Sequence, residues 1–138
     1  MRMKLLVIVL GLSVGLVGAP AKTSAHHAFA AEFDVNKPLK LQGTLVKWEM
    51  INPHSWFHIE VKGPDGKPVT WMVEGGSPNQ LIRNGVTKQT VPPGTVLVVD
   101  AYQARDGSNR AVGRDFILAD GKRLFLGGSA AAPDAPKK

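Results

Sequence analysis

The sequence predicts a mainly β fold, a small OB-like antiparallel β-barrel of five to six strands with one short helix between strands 3 and 4. Two observations support this class. Apolar and polar residues alternate in short runs separated by Gly- and Pro-containing turns, which is typical of strands. Three strands, a short helix and then two or more strands is also the element order of OB-type barrels. The chain has 138 residues, 43% of them hydrophobic and 20% charged, which suits one globular domain.

The first three strands are predicted from a side-chain period of two. Alternation begins at Leu39, where the first strand is expected to start. The second strand covers residues 54–62. Its apolar face consists of Phe57, Ile59 and Val61. Gly-Pro-Asp-Gly at 63–66 predicts a turn, because proline fixes φ and glycine accepts a positive φ. The apolar face of the third strand consists of Val69, Trp71 and Val73.

One helix is predicted between the third and fourth strands. Ser77 is a capping residue, Pro78 suits the first helical position, and Gln80 completes a capping box. Asn84-Gly85 ends the helix after barely two turns, so the helix must pack against the sheet to be stable. Later strands are predicted at residues 96–102, 110–118 and 122–126.

The first 25 residues form a predicted signal peptide. Arg2 and Lys4 precede an apolar run at residues 5–17, and small residues follow the run. As a helix this run rises about 20 Å, which is short of the roughly 30 Å hydrocarbon core of a bilayer. Cleavage is predicted after Ala21 or after Ala25, and an uncleaved membrane anchor is the alternative.

This leader predicts a periplasmic protein with no stable membrane insertion after cleavage. The expected order is a signal peptide at 1–25, the OB-like domain at 26–128 and a disordered, Ala/Pro/Lys-rich tail at 129–138. The formal net charge is +6, but three basic residues and no acid lie in the leader, which leaves 6 − 3 = +3. Because the remaining basic residues are scattered among acids, nucleic acid is not an expected partner. The absence of cysteine excludes disulfides, thiolate metal sites and a cysteine nucleophile.

Three motifs and two turns stand out in the mature sequence. They are His26-His27-Ala28-Phe29 with Glu32-Phe33-Asp34, Ile51-Asn52-Pro53-His54-Ser55-Trp56, Glu74-Gly75-Gly76-Ser77-Pro78-Asn79 with Leu81 and Arg83, Pro93-Gly94, and Asp106-Gly107-Ser108. In combination they resemble a widespread family of small exported bacterial proteins classed only as a domain of unknown function. The resemblance covers about residues 26–128 and implies export and a barrel-like domain, but no activity. At fold level alone, the layout is similar to periplasmic OB-fold proteins that bind small cationic or metabolite ligands.

All four histidines lie within residues 26–58, and this clustering is the main functional signal. If cleavage follows Ala25, His26 offers its α-amine and its imidazole Nδ1 to one metal ion, and His27 adds a neighbouring imidazole. All-nitrogen ligation without thiolates favours Cu(II) over zinc. The candidate metal ligands are His26, His27, His54 and His58.

The last two histidines are not expected to share one ion. Residues i and i+4 on a flat strand lie about 13 Å apart. Asn52-Pro53 predicts a bend that makes His54 the better partner for the N-terminal pair, whereas His58 lines the same outer face. The structural alternative is a frayed His26-His27 terminus, with His54 and His58 exposed on the strand and hydrogen-bonded.

The candidate ligand-binding residues lie beside His54 and further along the chain, as far as the predicted helix. They are Asn52, Trp56, Trp71, Glu74, Asn79 and Arg83. Glu74, Asn79 and Arg83 bracket the helix start, where backbone N–H groups favour an anion, although Arg83 could equally pair with Glu74 or Glu49. Ser77 is not expected to be a nucleophile, because the required glycine two residues later is Asn79.

The sequence therefore predicts an exported, non-enzymatic binding protein with a copper or other metal site built from the N-terminal histidines. The alternative is a docking module of the cell envelope that binds no metal. In that alternative the Trp56 and Trp71 faces bind another envelope protein, and the histidines tune the contact with pH. A hydrolase or oxidoreductase is not expected, since the sequence has no recognisable catalytic set.

Overall fold

A computed structural model describes residues 29–128 of the chain. These residues form six strands and one complete helix, namely β1 (Phe33–Glu49), β2 (Trp56–Lys62), β3 (Pro68–Glu74), α1 (Pro78–Arg83), β4 (Val96–Ala104), β5 (Arg110–Leu118) and β6 (Arg123–Phe125). The predicted signal peptide, His26, His27 and the predicted disordered tail lie outside the described residues.

The six strands form one sheet in the order β3-β2-β1-β4-β5-β6. Neighbours in this order are antiparallel, and a short parallel pairing of β3 with β5 joins five of the strands into a ring. The mainly β class, the antiparallel pairing and the position of the helix between β3 and β4 are therefore confirmed. Among residues 29–128, the structure contains no helix with the length and apolarity that a bilayer crossing requires.

The first strand begins six residues earlier than the alternation predicts, at Phe33 instead of Leu39. Phe33 pairs with Ala104 on β4, and the register is irregular between Phe33 and Pro38. The intervening residues 34–37 are mostly polar and half-buried or exposed. Where strand pairing is interrupted, side chains no longer alternate between the two faces of the sheet. The alternation of apolar and polar residues therefore does not indicate this part of the strand.

The main core fills the inside of the ring. The Phe57 ring lies at its centre and meets the Trp48 ring at 4.9 Å and the Phe116 ring at 4.8 Å, both in edge-to-face contacts. Ile59 and Val73 are fully buried beside it, as the alternation of β2 and β3 predicts. These residues make the inward face of the sheet apolar.

The short helix packs on the sheet through Leu81, which is fully buried. Ser77 Oγ accepts a hydrogen bond from the Gln80 N–H at 3.3 Å, as predicted for the cap. The Gln80 side chain, however, accepts a hydrogen bond from the Gly128 N–H at 3.1 Å, which fastens the end of the described chain to the helix. Gly85 follows the helix with φ at +77°, the left-handed conformation predicted for Asn84-Gly85.

A second, smaller core holds the start of the described chain against β4 and β5. Its members are Phe29, Phe33, Tyr102, Ala104 and Val112. Residues 29–32 are helical, and Arg105 anchors them twice, since its backbone N–H donates to the Glu32 carbonyl and its Nε donates to the Ala30 carbonyl. The N-terminal segment 29–33 is thus a fixed part of the domain.

Candidate functional site

A cleft of about 290 Å³ lies where the N-terminal segment meets the loop before β2. Its lining includes Asn52, His54, Trp56 and Glu74, which are four of the residues predicted from the sequence to bind a ligand or metal. The other lining residues are Phe29, Glu32, Phe33, Ile51, Pro53 and Arg110. The cleft therefore joins the N-terminal motif, the Ile51–Trp56 motif and the end of β3 in one place.

Backbone pairing holds His54 in position at the cleft. Ser55 is fully buried, its N–H donates to the Gly76 carbonyl at 2.9 Å, and its carbonyl accepts from the Gly75 N–H at 2.9 Å. These two bonds extend the β2–β3 pairing by one step beyond Trp56. His54 comes directly after the cis Asn52–Pro53 peptide bond. Its other neighbour, Ser55, is hydrogen-bonded to the residues that follow β3, and this pairing holds His54 in place.

The imidazole of His54 contacts a buried carboxylate. His54 Nδ1 lies 2.9 Å from Glu74 Oε1, and Glu74 is only 3% exposed. A carboxylate oxygen is an acceptor, so the contact assigns the proton to Nδ1. The His54 side chain is 41% exposed, and in a neutral imidazole with this proton the lone pair lies on the second nitrogen, Nε2.

Arg110 lies over the Trp56 ring in the same cleft. Its guanidinium carbon is 5.2 Å from the centre of that ring, a cation–π distance, and its Nη2 is 3.7 Å from Glu32 Oε2. The register explains this placement, because Trp56 pairs with Glu74 and Arg110 pairs with Met72, two residues earlier on β3. Trp56, Glu74 and Arg110 consequently project from the same face of the sheet.

His58 is not among the residues that line the cleft. Its Nε2 lies 3.3 Å from Glu49 Oε2, and Lys47, its register partner on β1, donates a hydrogen bond to the same carboxylate. The bond from Lys47, together with that from His58, lowers the pKa of the Glu49 carboxyl. His58 therefore belongs to a charged cluster on the outer face of β1 and β2.

Trp71, Asn79 and Arg83 also lie outside the cleft lining. Trp71 pairs with Ile59 on the inward face and packs against the main core, whereas Trp56 lies on the outward face. The two tryptophans predicted for docking thus do not form one surface. Asn79 and Arg83 are exposed on α1. The two carboxylates considered as partners of Arg83 contact histidines instead. Glu74 contacts His54, and Glu49 contacts His58.

The N-terminal side of the cleft was not predicted from the sequence. Phe29 and Phe33 are four residues apart, the spacing that places side chains on one side of a helical turn, and this signal could have identified their anchoring role. Arg110 gave no comparable signal, because only the parallel pairing of β3 with β5 brings it to Trp56.

A metal ion held by the cleft would need ligands from outside the described part of the chain. Within residues 29–128, no three His, Cys, Asp or Glu side chains come together in a way that could bind a metal. His54 and Glu74 are a pair in which the carboxylate already contacts the imidazole. From the described residues, the cleft thus offers a metal ion one imidazole nitrogen, that of His54.

Comparison with known proteins identifies a family but no activity. No curated protein and no solved structure gives a significant match. A family of unknown function, DUF6152, matches residues 14–113, which include the cleft and end within β5. The predicted resemblance to a family of unknown function is confirmed, and this chain belongs to the family of unknown function DUF6152.

Proposed function

We propose that this protein is an exported, non-enzymatic binding protein whose cleft holds a copper ion, or another metal ion, between the N-terminal histidines and His54. The observation that supports it most is that Phe29 and His54 line the same cleft. Three peptide units separate His26 from Phe29, so their Cα atoms are at most about 11 Å apart. With segment 29–33 anchored at the cleft, a chain of this length can bring His26 and His27 to the His54 imidazole.

The ligands proposed for the ion are all nitrogen atoms. Cleavage after Ala25 leaves His26 with an α-amine and an imidazole that bind one ion together, and His27 and His54 Nε2 complete the set. All-nitrogen ligation favours Cu(II), and the chain contains no cysteine that would favour a softer ion. Metal binding displaces a proton from the α-amine, and this proton loss costs little free energy at neutral pH.

The first experiment determines where the mature protein begins. The protein is expressed with its full leader, purified from the periplasm and sequenced from its N-terminus. A start at His26 is expected. A start at Lys22, or retention of the protein with its leader intact, would contradict the terminal chelate.

The second experiment measures Cu(II) affinity of the mature protein by competition titration. His26→Ala and His54→Ala are each expected to lose tight binding. His58→Ala is the matched control, because His58 lies with Glu49 on the outer face and outside the cleft lining. Unchanged affinity in either variant would contradict the shared metal site, and unchanged affinity in both would favour the alternative, a docking module for an envelope protein.

A further inference from the structure

We infer that a second cavity, between β1, β4 and β5, binds a small organic anion, a monocarboxylate that carries an apolar body. The inference goes beyond the proposed function, because it needs neither a metal ion nor any residue outside 29–128. Three features of the described chain support it: the place where the cavity forms, the order of the charges beside it, and its apolar lining.

The cavity has a volume of about 310 Å³, slightly more than the cleft at His54. Sites for small molecules start at about 300 Å³, so this volume suits a small ligand. Its lining residues are Pro38, Leu39, Lys40, Asp100, Ala101, Tyr102 and Arg114. None of these residues lines the cleft, and the two sites are therefore separate.

The cavity lies where strand pairing is irregular on both sides of β4. The β1–β4 register becomes regular only from Pro38 onward. The β4–β5 register passes from Asp115 to Gly113 in one step of β4, so Arg114 is an extra residue on β5 without a register partner. Such a bulge re-aims the side chain of the extra residue and is common beside functional sites. Arg114 is the residue of β5 that lines the cavity.

The ionic cluster around Asp100 forms a series of alternating charges. Lys40 donates to Asp100, and Arg123 Nη2 lies 2.5 Å from Asp100 Oδ2. The same Arg123 nitrogen lies 2.8 Å from Asp115 Oδ2, and Arg114 Nε lies 3.6 Å from that oxygen. The series Lys40–Asp100–Arg123–Asp115–Arg114 therefore begins and ends with a cation.

Both end members of this series line the cavity. They are Lys40 and Arg114, whereas the central cation, Arg123, is not among the lining residues. Three positive and two negative charges leave the series with one positive charge. A single carboxylate in the cavity would lie next to both end cations and would balance this charge, with hydrogen bonds strengthened because both partners are ionised.

The rest of the lining determines the other half of the ligand. It consists of apolar or aromatic residues, namely Pro38, Leu39, Ala101 and Tyr102. Binding sites for small molecules typically combine a mostly apolar lining with a few polar groups that orient the ligand. An apolar body attached to one carboxylate matches this combination better than a bare inorganic anion does.

The test is a titration of ¹⁵N-labelled protein with benzoate, followed by amide NMR. Benzoate should shift the signals of Lys40, Ala101 and Tyr102 in a saturable way and leave that of His54 unchanged. Benzyl alcohol lacks the charge and acetate lacks the ring, so each should bind at least about 10-fold more weakly. The absence of saturable shifts with benzoate, or equal affinity for either of the other two probes, would overturn the assigned ligand class.

Two variants test the end cations. Lys40→Gln and Arg114→Gln should each weaken benzoate binding by about 10-fold, the usual effect of losing a hydrogen bond between charged groups. The Lys40 side chain is 59% exposed, so its variant keeps the test valid if Arg114→Gln does not fold. Arg83→Gln, at an exposed position on α1, is the matched control and should bind as the wild type does. Wild-type affinity in either folded variant would overturn the inference.

One further variant separates this inference from the proposed function. His54→Ala lacks an imidazole proposed to bind the metal ion, and His54 does not line the second cavity. Its affinity for benzoate should therefore equal that of the wild type, whatever happens to Cu(II) binding. A loss of benzoate binding in His54→Ala would overturn the assignment of the anion to the second cavity.

Discussion

The Phe29 ring stands edge-on to the Tyr102 ring, with centroids 6.0 Å apart and ring planes at 88°. Tyr102 belongs to β4, so this contact ties the start of the described chain to the five-stranded ring. Phe29 also lines the cleft that contains His54. This aromatic pair thus helps to hold the start of the N-terminal segment at one side of the cleft.

Replacing Phe29 with alanine should release the N-terminal segment from the domain. Phe29 is only 5% exposed, and loss of a buried phenylalanine costs about 3–5 kcal/mol where the site cannot collapse. The Arg105 N–H, which donates to the Glu32 carbonyl, should then exchange with solvent much faster in hydrogen-exchange NMR. Ile82→Ala, at a side chain 55% exposed on α1, is the control and should leave this exchange rate unchanged. Unchanged protection of Arg105 in Phe29→Ala would contradict the anchoring role.

Replacing Phe57 with alanine should destabilise the whole domain. The side chain is fully buried between Trp48 and Phe116, so the expected loss in the free energy of unfolding is about 3–5 kcal/mol. Urea denaturation followed by far-UV circular dichroism measures it. Val46→Ala, at a side chain 43% exposed on β1, should change the stability by no more than about 0.5 kcal/mol. Equal losses in both variants would show that Phe57 is not at the centre of the core.

Acid should weaken the ionic cluster around Asp100. Burial opposes ionisation of this carboxyl, but hydrogen bonds from Lys40 and Arg123 outweigh burial and lower its pKa below the ordinary value of 3.8. A lowered pKa in the folded state stabilises the protein above the unfolded value, and this contribution is lost as the pH falls through the folded pKa. Unfolding free energies measured from pH 6 to acid should therefore fall below about pH 4.

The matching variant is Asp100→Asn, which removes the titrating group from this cluster. Its stability should be lower at pH 6 and should change less between pH 6 and acid than that of the wild type. Arg123 also contacts Asp115 at 2.8 Å, so this second ion pair remains in Asp100→Asn. Glu60→Gln, at an exposed position outside the cluster, should follow the wild-type curve. A wild-type pH dependence in Asp100→Asn would contradict the assigned role.

Most of the fold could be predicted from the sequence, because most strands and the helix are indicated by residues within a short stretch of the chain. The alternation of Phe57 and Ile59, the cap at Ser77 and the turn at Gly85 all depend on neighbours within a few residues, and the structure confirms each of them. The start of β1 and the Gln80 contact with Gly128 could not be predicted in this way. Both depend on partners far along the chain, which a period or a motif does not contain.

Of the candidate site, the sequence predicts only the residues in the Ile51–Trp56 motif and in the motif that begins at Glu74. Asn52, His54, Trp56 and Glu74 stand out in the sequence as side chains that can bind a ligand or metal, and they line one cleft. His58 and Trp71 met the same chemical criterion but face elsewhere, because the β1–β2 and β2–β3 registers determine their neighbours. Arg110 reaches the cleft through the parallel β3–β5 pairing, for which the sequence contains no local signal.

The most direct test of the central claim is the location of a bound Cu(II) ion by paramagnetic broadening of amide NMR signals in the mature wild-type protein. One equivalent of Cu(II) should remove the signals of His54, Trp56 and Glu74 while the far hairpin at residues 62–68 stays visible. Broadening confined to Lys47, Glu49 and His58, or signals of the cleft that remain sharp at full occupancy, would mean that the N-terminal histidines and His54 do not share an ion.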